Sequence, residues 1–372
     1  MNQTQDFTKG VIWKQLLFFF FPILIGSFFQ QLYNTVDTII VGQAVGTSAL
    51  AAVGSTGNLT NLIVNFYVGL STGASVVIAQ YYGAQNNKKI HQAVHTSYIL
   101  AIVSGILMML FGLFFSYQCL DAIGTPHDIL NDATLYMKLY FLCMIPGAIY
   151  NIGAGILRAV GDSKRPLYYL IVCSIVNVVF DFIFVVIFHQ GIAGAAIATV
   201  IAQSVCAILV TIQLMRTNEV YKLTLSKMKF HLPVLKKIIM IGAPAGIQST
   251  MYSISNIVLQ SHINAFGTRT IASWSVYVKI DALFWMMIAA IGAAITTFAG
   301  QNYGAHLHDR IKKGTRTALA MAFIMTISIS TILCLTGSYI TRLFSSDPHI
   351  IEECYSLMLF LMPFYFLYCC VE

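Results

Sequence analysis

Hydrophobic residues in this chain gather into long stretches separated by short polar connections. A helix needs about 20 apolar residues to cross roughly 30 Å of hydrocarbon. Ten stretches meet that length: 11–41, 50–80, 93–117, 135–157, 167–188, 192–215, 238–266, 271–299, 317–340 and 350–371. The pattern predicts an all-α, polytopic membrane protein in which helical hairpins are the building unit. Pro22, Pro146, Pro244 and Pro363 fall inside these stretches. Membrane helices tolerate them, usually at a kink or a packing contact. The first stretch follows Lys9 and Lys14 and runs past Phe29 without a small-residue cleavage site. It therefore reads as a retained span, not a secretory signal.

The sequence also repeats itself. Gln80-Tyr81-Tyr82-Gly83-Ala84 recurs as Gln301-Asn302-Tyr303-Gly304-Ala305, an offset of 221. Lys89-Ile90 matches Arg310-Ile311, and Gly46-Thr47 matches Gly267-Thr268 at the same offset. Pro22 aligns with Pro244, and Pro126-His127 with Pro348-His349, at 222. Pro146 corresponds to Pro363 after a small deletion. An offset of six helices, an even number, gives two parallel copies related by an axis along the membrane normal, a plan common in secondary transporters. The expected organisation is an N-terminal six-helix lobe (1–217), a basic linker (218–237) and a C-terminal lobe (238–372). Two full copies would span about 442 residues and 12 helices, whereas the second copy here matches only the first four spans of its partner. The repeat thus predicts a further C-terminal portion of roughly 70 residues carrying two more spans.

Composition agrees with a membrane protein. Charged residues make up 9% of the 372, where soluble domains carry about 25%. Placing the N-terminus in the cytoplasm puts 17 of the 21 Lys and Arg in inside segments, as the positive-inside rule requires, with Lys138, Arg269, Lys279 and Arg342 elsewhere. The expected location is the cell membrane, multi-pass. The net charge of +7 is thinly spread, with no basic tract suited to nucleic acid. No Walker-type loop is present, so ATP is not an expected partner, and no hydrolase or metalloprotease motif marks an enzyme. The eight cysteines have no C-x-x-C spacing and read as small buried hydrophobes.

Chemistry is sought among the charges that burial in lipid makes costly. Eleven of the fourteen acids lie in loops or termini, leaving Asp37, Asp181 and Asp281. Asp37 shares a helical face with Tyr33 and Gln30 at i−4 and i−7. Asn177 lies at i−4 from Asp181, and the following span offers Thr199 among small residues, Ala195-Ala196-Ile197-Ala198. Two carboxylates, an amide and a hydroxyl form an oxygen-rich set for a hard cation such as sodium, or for protons. Asn58, Asn61, Asn65 and Asn151 line a wet cavity or bond between helices. Lys279 and Asp281, at i and i+2, fall on different faces of their helix and each requires its own partner.

Taken together, these residues resemble the multidrug and toxic compound extrusion (MATE) family along the entire chain. The matching features are Pro22 with Asp37, Gln80-x-Tyr-Gly-Ala, Leu157-Arg158-Ala159-Val160-Gly161-Asp162, Asn177-x-x-x-Asp181 and Gly194-Ala195-Ala196-x-Ala198-Thr199. The resemblance is to the prokaryotic branch with its cation site in the N-terminal lobe. It implies a twelve-helix, two-lobed exporter of small amphipathic, cationic compounds, driven by sodium or protons and working as a monomer without another cofactor. It further implies that Asp37, Asn177, Asp181 and Thr199 form the cation site. Gln30, Tyr33 and Asn151 would be neighbours or substrate contacts, and Pro22 would let the first span bend when Asp37 changes charge. Asp281 and Lys279 are further candidates along the substrate path. The competing readings are a flippase for a lipid-linked cell-envelope precursor, and, from another class, an intramembrane enzyme or receptor. A flippase handling pyrophosphates would need several intramembrane basic residues, and only Lys279 is clearly internal.

Overall fold

The computed structural model describes residues 5–344 and 347–372, with the backbone alone described at Thr47, Ser48, Leu50, Asn58, Asn264 and Thr268. The described residues fold as helices: α1 Ile12–Ala44, α2 Thr47–Gly83, α3 Asn87–Ala122, α4 His127–Phe141, α5 Met144–Ala159, α6 Lys164–Asp181, α7 Gly191–Arg216, α8 Leu232–Asn264, α9 Thr268–Gly304, α10 His308–Arg342, α11 Pro348–Leu361 and α12 Tyr365–Val371.

All ten predicted stretches fall in helices. Among the described residues, eight helical segments are long and apolar enough to cross a membrane, or nine if the bent pair α4–α5 is one span. The fourth predicted stretch is that pair, broken at Leu142-Cys143 with a 45° bend. Pro146 explains the break: it has no N–H to offer the Leu142 carbonyl, and its ring crowds that carbonyl. Its repeat partner Pro363 sits in a 3-10 turn, Met362–Phe364, between α11 and α12. The seventh stretch is helical as α8, but its Ser, Thr, Asn and Gln residues keep it out of the strongly apolar set.

The duplicated sequence yields duplicated turns. Gly46 and Gly267 both have positive φ (113° and 96°) at the entries to α2 and α9. After each Gln-x-Tyr-Gly-Ala, the chain leaves the helix through a left-handed residue, Gln85 or His306, 221 apart. The closing hydrogen bonds match: Ala84 N–H to Gln80 O and Asn86 N–H to Tyr81 O, then Ala305 N–H to Gln301 O and Leu307 N–H to Asn302 O.

The first half meets the second along α1, whose Phe19 and Phe20 pack with Phe284 and Ile288 of α9, and along α2. Along the middle of α2, Gly69-x-x-x-Gly73 meets Gly242-x-x-x-Gly246 of α8 so closely that a Cβ on Gly69 would lie 2.3 Å from the Gly246 Cα. Small residues let membrane helices approach in this way, and Asn65 Nδ2 donates to Ser253 Oγ (3.1 Å) on the same seam. At the ends of α2 and α9 the repeated motif meets itself: Gly83 packs on the Gln301 carbonyl and Gly304 on the Gln80 carbonyl.

The N-terminal segment laces the same end. Gln5 N–H donates to Gly161 O in the first half. Phe7, fully buried against Phe19 and Phe298, exchanges hydrogen bonds with the second half. Its N–H donates to Gln301 Oε1, and its carbonyl accepts from Asn302 Nδ2 and Arg310 Nε. Gln301 Nε2 reaches back to Ala159 O at 2.8 Å.

Candidate functional site

The site is built where α1, α6 and α7 converge. Along α6 the spacing of Ser174, Asn177 and Asp181 places all three on the buried face. α7 presents Ala195, Ala196, Ala198 and Ala202 to the same region, and these small side chains admit the Thr199 hydroxyl. Immediately after Asp181 the helix widens into a π-helical turn, Phe182–Ile187, a distortion frequent at functional sites.

Asp37, Asn177, Asp181 and Thr199 are brought together. Asp37 and Asp181 lie close enough to interact electrostatically. Asn177 Nδ2 is 3.5 Å from Thr199 Oγ1, which donates to its own helix at Ala195 O (3.1 Å). Asp181 and Asn177 are fully buried. Neither carboxylate oxygen of Asp181 has a hydrogen-bond partner, and the same holds for Asp37 Oδ1 and Asn177 Oδ1. Carboxylate and amide oxygens only accept, so buried ones without donors call for a proton or a cation. An all-oxygen set suits a hard cation or protons rather than a transition metal. Among the described residues no three His, Cys, Asp or Glu side chains are grouped for a metal ion.

The other sequence candidates are placed differently. Tyr33 is buried one turn before Asp37 on α1, whereas Gln30 is exposed. Pro22 is buried inside α1, which runs through it as one helix. Asn151 turns to its own helix, Nδ2 donating to Gly147 O (2.9 Å), while its carbonyl accepts from Ser71 Oγ of α2. Of the α2 amides, Asn65 is interhelical, Asn61 is exposed, and the Asn58 side chain lies outside the described residues. Asp281 is far along the chain on α9, where it accepts from Trp285 and Tyr365, and Lys279 is exposed.

Sequence reasoning missed two tyrosines. Tyr136 and Tyr140 of α4 are buried or half-buried and close enough to Asp37 to feel its charge, with Tyr136 also within reach of Asp181. Their i, i+4 spacing puts them on one face of α4, where the rings stack, but that spacing alone does not set them apart from ordinary core.

This geometry can be set beside known proteins. The MatE family profile matches residues 22–183 and 244–372, one stretch in each half of the chain. The chain belongs to the MatE family. A MatE relative in Bacillus subtilis (strain 168), named a probable multidrug resistance protein YoeA, is 27% identical over 374 residues, covering 98% of this chain and 80% of that protein. The multidrug export protein MepA of Staphylococcus aureus (strain NCTC 8325 / PS 47) is 22% identical, covering 94% and 78%. A MATE multidrug resistance transporter solved in an outward-facing conformation superposes with a TM-score of 0.92 at 25% identity, covering 99% of this chain and 82% of that one. A MOP superfamily transporter from Pyrococcus furiosus, described as having a binding pocket of reversed polarity, superposes at 0.90 with the same identity, covering 98% and 81%. This MatE chain is accordingly an all-α, multi-pass membrane transporter with a duplicated helical plan.

Proposed function

We propose that this MatE-family chain is a secondary active exporter. In this reading it sits in the cell membrane with its N-terminus cytoplasmic and moves small amphipathic organic cations outward against inward sodium or protons. The two repeats, 1–217 and 238–372 joined by the linker 218–237, act as lobes that rock to expose a central path to either side in turn. The observation that carries the reading is the fully buried Asp181 with the half-buried Asp37, their unpartnered oxygens beside Asn177 and Thr199.

An incoming cation or proton is held by Asp37 and Asp181, and Asn177 and Thr199 supply neutral oxygens. Neutralising the pair removes the cost of two close buried charges and lets α1 repack against α6, where Gly26 already meets Leu170 and Leu167. Pro22 is the position at which α1 bends. Organic substrate leaves in this step and the cation is released inside. Each elementary charge entering at 100 mV contributes about 2.3 kcal/mol, equivalent to roughly a 50-fold gradient. The named relatives are multidrug proteins, which favours export over flipping of a lipid-linked precursor.

Transport of a fluorescent cationic dye into proteoliposomes, driven separately by sodium and proton gradients, tests the reading. Asp37→Asn and Asp181→Asn are each expected to lower coupled transport at least 50-fold. Wild-type rates in both variants under either gradient would refute the cation site.

A further inference from the structure

The geometry points to a second site, in the other half of the molecule, that binds the organic cation itself: an anionic aromatic cage centred on Asp281. This inference rests on the exporter reading for its purpose, but its evidence is separate.

Asp281 lies about 20 Å along α9 from the start of that helix. That places it well inside a membrane span, where an acid needs a reason to be present. Its carboxylate is fixed from two sides. Trp285 Nε1–H, one turn away, donates to Oδ2 at 2.7 Å. The Tyr365 hydroxyl of α12 donates to Oδ1 and is in turn hydrogen-bonded to the Tyr277 hydroxyl. These are neutral donors, so they orient the carboxylate and leave its charge uncompensated. Among the described residues Asp281 forms no ion pair, and Lys279 points elsewhere on the helix.

Rings surround this charge. Phe284 lies 4.3 Å from Tyr365, Trp285 lies 4.5 Å from Tyr368, and Tyr368 meets Tyr252 of α8 at 6.3 Å between centroids. Trp285, which touches the acid, remains 40% exposed, and Tyr252 at the outer edge of the ring cluster 39%, so an open aromatic face adjoins the carboxylate. The cluster stands where α8, α9 and α12 converge, and α8 and α9 are the helices that carry the contacts to α2.

A carboxylate whose two oxygens each already accept from a neutral donor, with no other oxygen ligand shown beside it, is a poor place for a bare sodium ion, which needs several oxygen ligands. It is a good place for a large, weakly hydrated cation. Such a cation takes the long-range attraction of the charge, stacks on open aromatic faces, and requires no hydrogen bond. The ligand class is therefore a quaternary ammonium or phosphonium ion with aromatic substituents. The first-half site, whose oxygens lack donors, differs in this respect, which separates coupling ion from cargo.

Tetraphenylphosphonium is the probe, with neutral triphenylphosphine oxide as its control. Purified protein in detergent, with Trp13→Phe and Trp274→Phe so that Trp285 is the sole indole, should show saturable quenching by the phosphonium ion and none of comparable affinity by the neutral oxide. Asp281→Asn removes the charge while keeping the side-chain shape and one of the two acceptor oxygens, and is expected to weaken phosphonium binding at least tenfold. Glu352→Gln, an exposed acid on α11, should leave it unchanged.

Equal quenching by the two probes, or binding within twofold of wild type in a folded Asp281→Asn protein, would overturn the site. If Asp281→Asn does not fold, the single-tryptophan protein still decides, because unquenched Trp285 refutes the proposal. A protein that binds the ion through Asp281 yet transports nothing in proteoliposomes would leave this site standing and remove the exporter reading.

Discussion

At the scale of single residues, Asp162 shows how burial and pairing oppose one another. It lies in the connection between α5 and α6, fully buried, and caps the new helix by accepting from the N–H groups of Lys164 (3.2 Å) and Arg165 (3.1 Å). Arg165 adds an ion pair at 3.1 Å. Burial nevertheless pushes the Asp162 carboxyl above its ordinary value, and the backbone donors and the guanidinium pull it only part of the way back. A carboxyl raised in the folded state binds its proton more tightly there than when unfolded, so its ionisation costs stability as pH rises through that raised value. Asp162→Asn keeps the cap and sheds the buried charge. It is expected to match or slightly exceed wild type in thermal stability at pH 7, with any advantage shrinking as pH falls toward 4. Asp162→Ala loses the cap and should cost about 1 kcal/mol. Unfolding followed by tryptophan fluorescence in detergent at both pH values checks the sign.

At the scale of elements, the segment before α1 is a strap of unusual reach. Phe7 contributes a fully buried ring, and both of its backbone groups are satisfied by Gln301, Asn302 and Arg310, nearly 300 residues away. Arg310 Nη2 also holds the carbonyls of Lys9 and Gly10 and the Gln15 side chain. Truncating a buried Phe costs about 3–5 kcal/mol. Phe7→Ala is therefore expected to release the strap and speed amide exchange over residues 5–10 and 301–310. Arg310→Ala should do the same more weakly, because Asn302 retains one bond to the Phe7 carbonyl. Hydrogen exchange read by mass spectrometry would detect both, and unchanged protection in Phe7→Ala would mean that the ring is not what holds the strap. Nothing in the local sequence announces this element, since Gln5 to Gly10 reads as a polar leader with one Phe. Its importance comes from distant partners, which periodicity cannot report. Asp37, Asn177, Asp181 and Thr199 were legible because intramembrane polar residues at helical spacing are costly and therefore conspicuous. Tyr136 and Tyr140 were not, because aromatic residues in an apolar span look like ordinary core.

At the scale of the whole molecule, the repeat that the sequence displays becomes a closing contact between halves. Gln80-x-x-Gly83 and Gln301-x-x-Gly304 occupy equivalent places in the two copies, and the structure brings them face to face with each glycine on the other copy's glutamine carbonyl. A pair of identical motifs meeting about an approximate two-fold axis can only be self-complementary, so one substitution disturbs one side of a reciprocal pair and the double substitution disturbs both. A Cβ on Gly304 would fall 1.8 Å from the Gln80 carbonyl oxygen, and a Cβ on Gly83 the same distance from that of Gln301. No rotamer relieves a clash between a Cβ and backbone, so the ends of α2 and α9 must separate. The seam higher up, Gly69 and Gly73 against Gly246 and Gly242, is untouched by these changes and acts as the pivot. Gly304→Ala is therefore expected to widen the gap at this end while leaving the middle of α2 and α8 in register. Spin labels placed on the exposed Gln85 and His306 would report a longer mean distance in Gly304→Ala than in the parent and a longer one still in Gly83→Ala/Gly304→Ala. Labels on the exposed Val68 of α2 and Ile247 of α8 should stay within a few ångström of the parent value, since each adjoins a glycine of the pivot. If all four distances are unchanged, the two motifs do not hold the halves together. If both pairs lengthen alike, the halves part as a whole and the seam is no hinge.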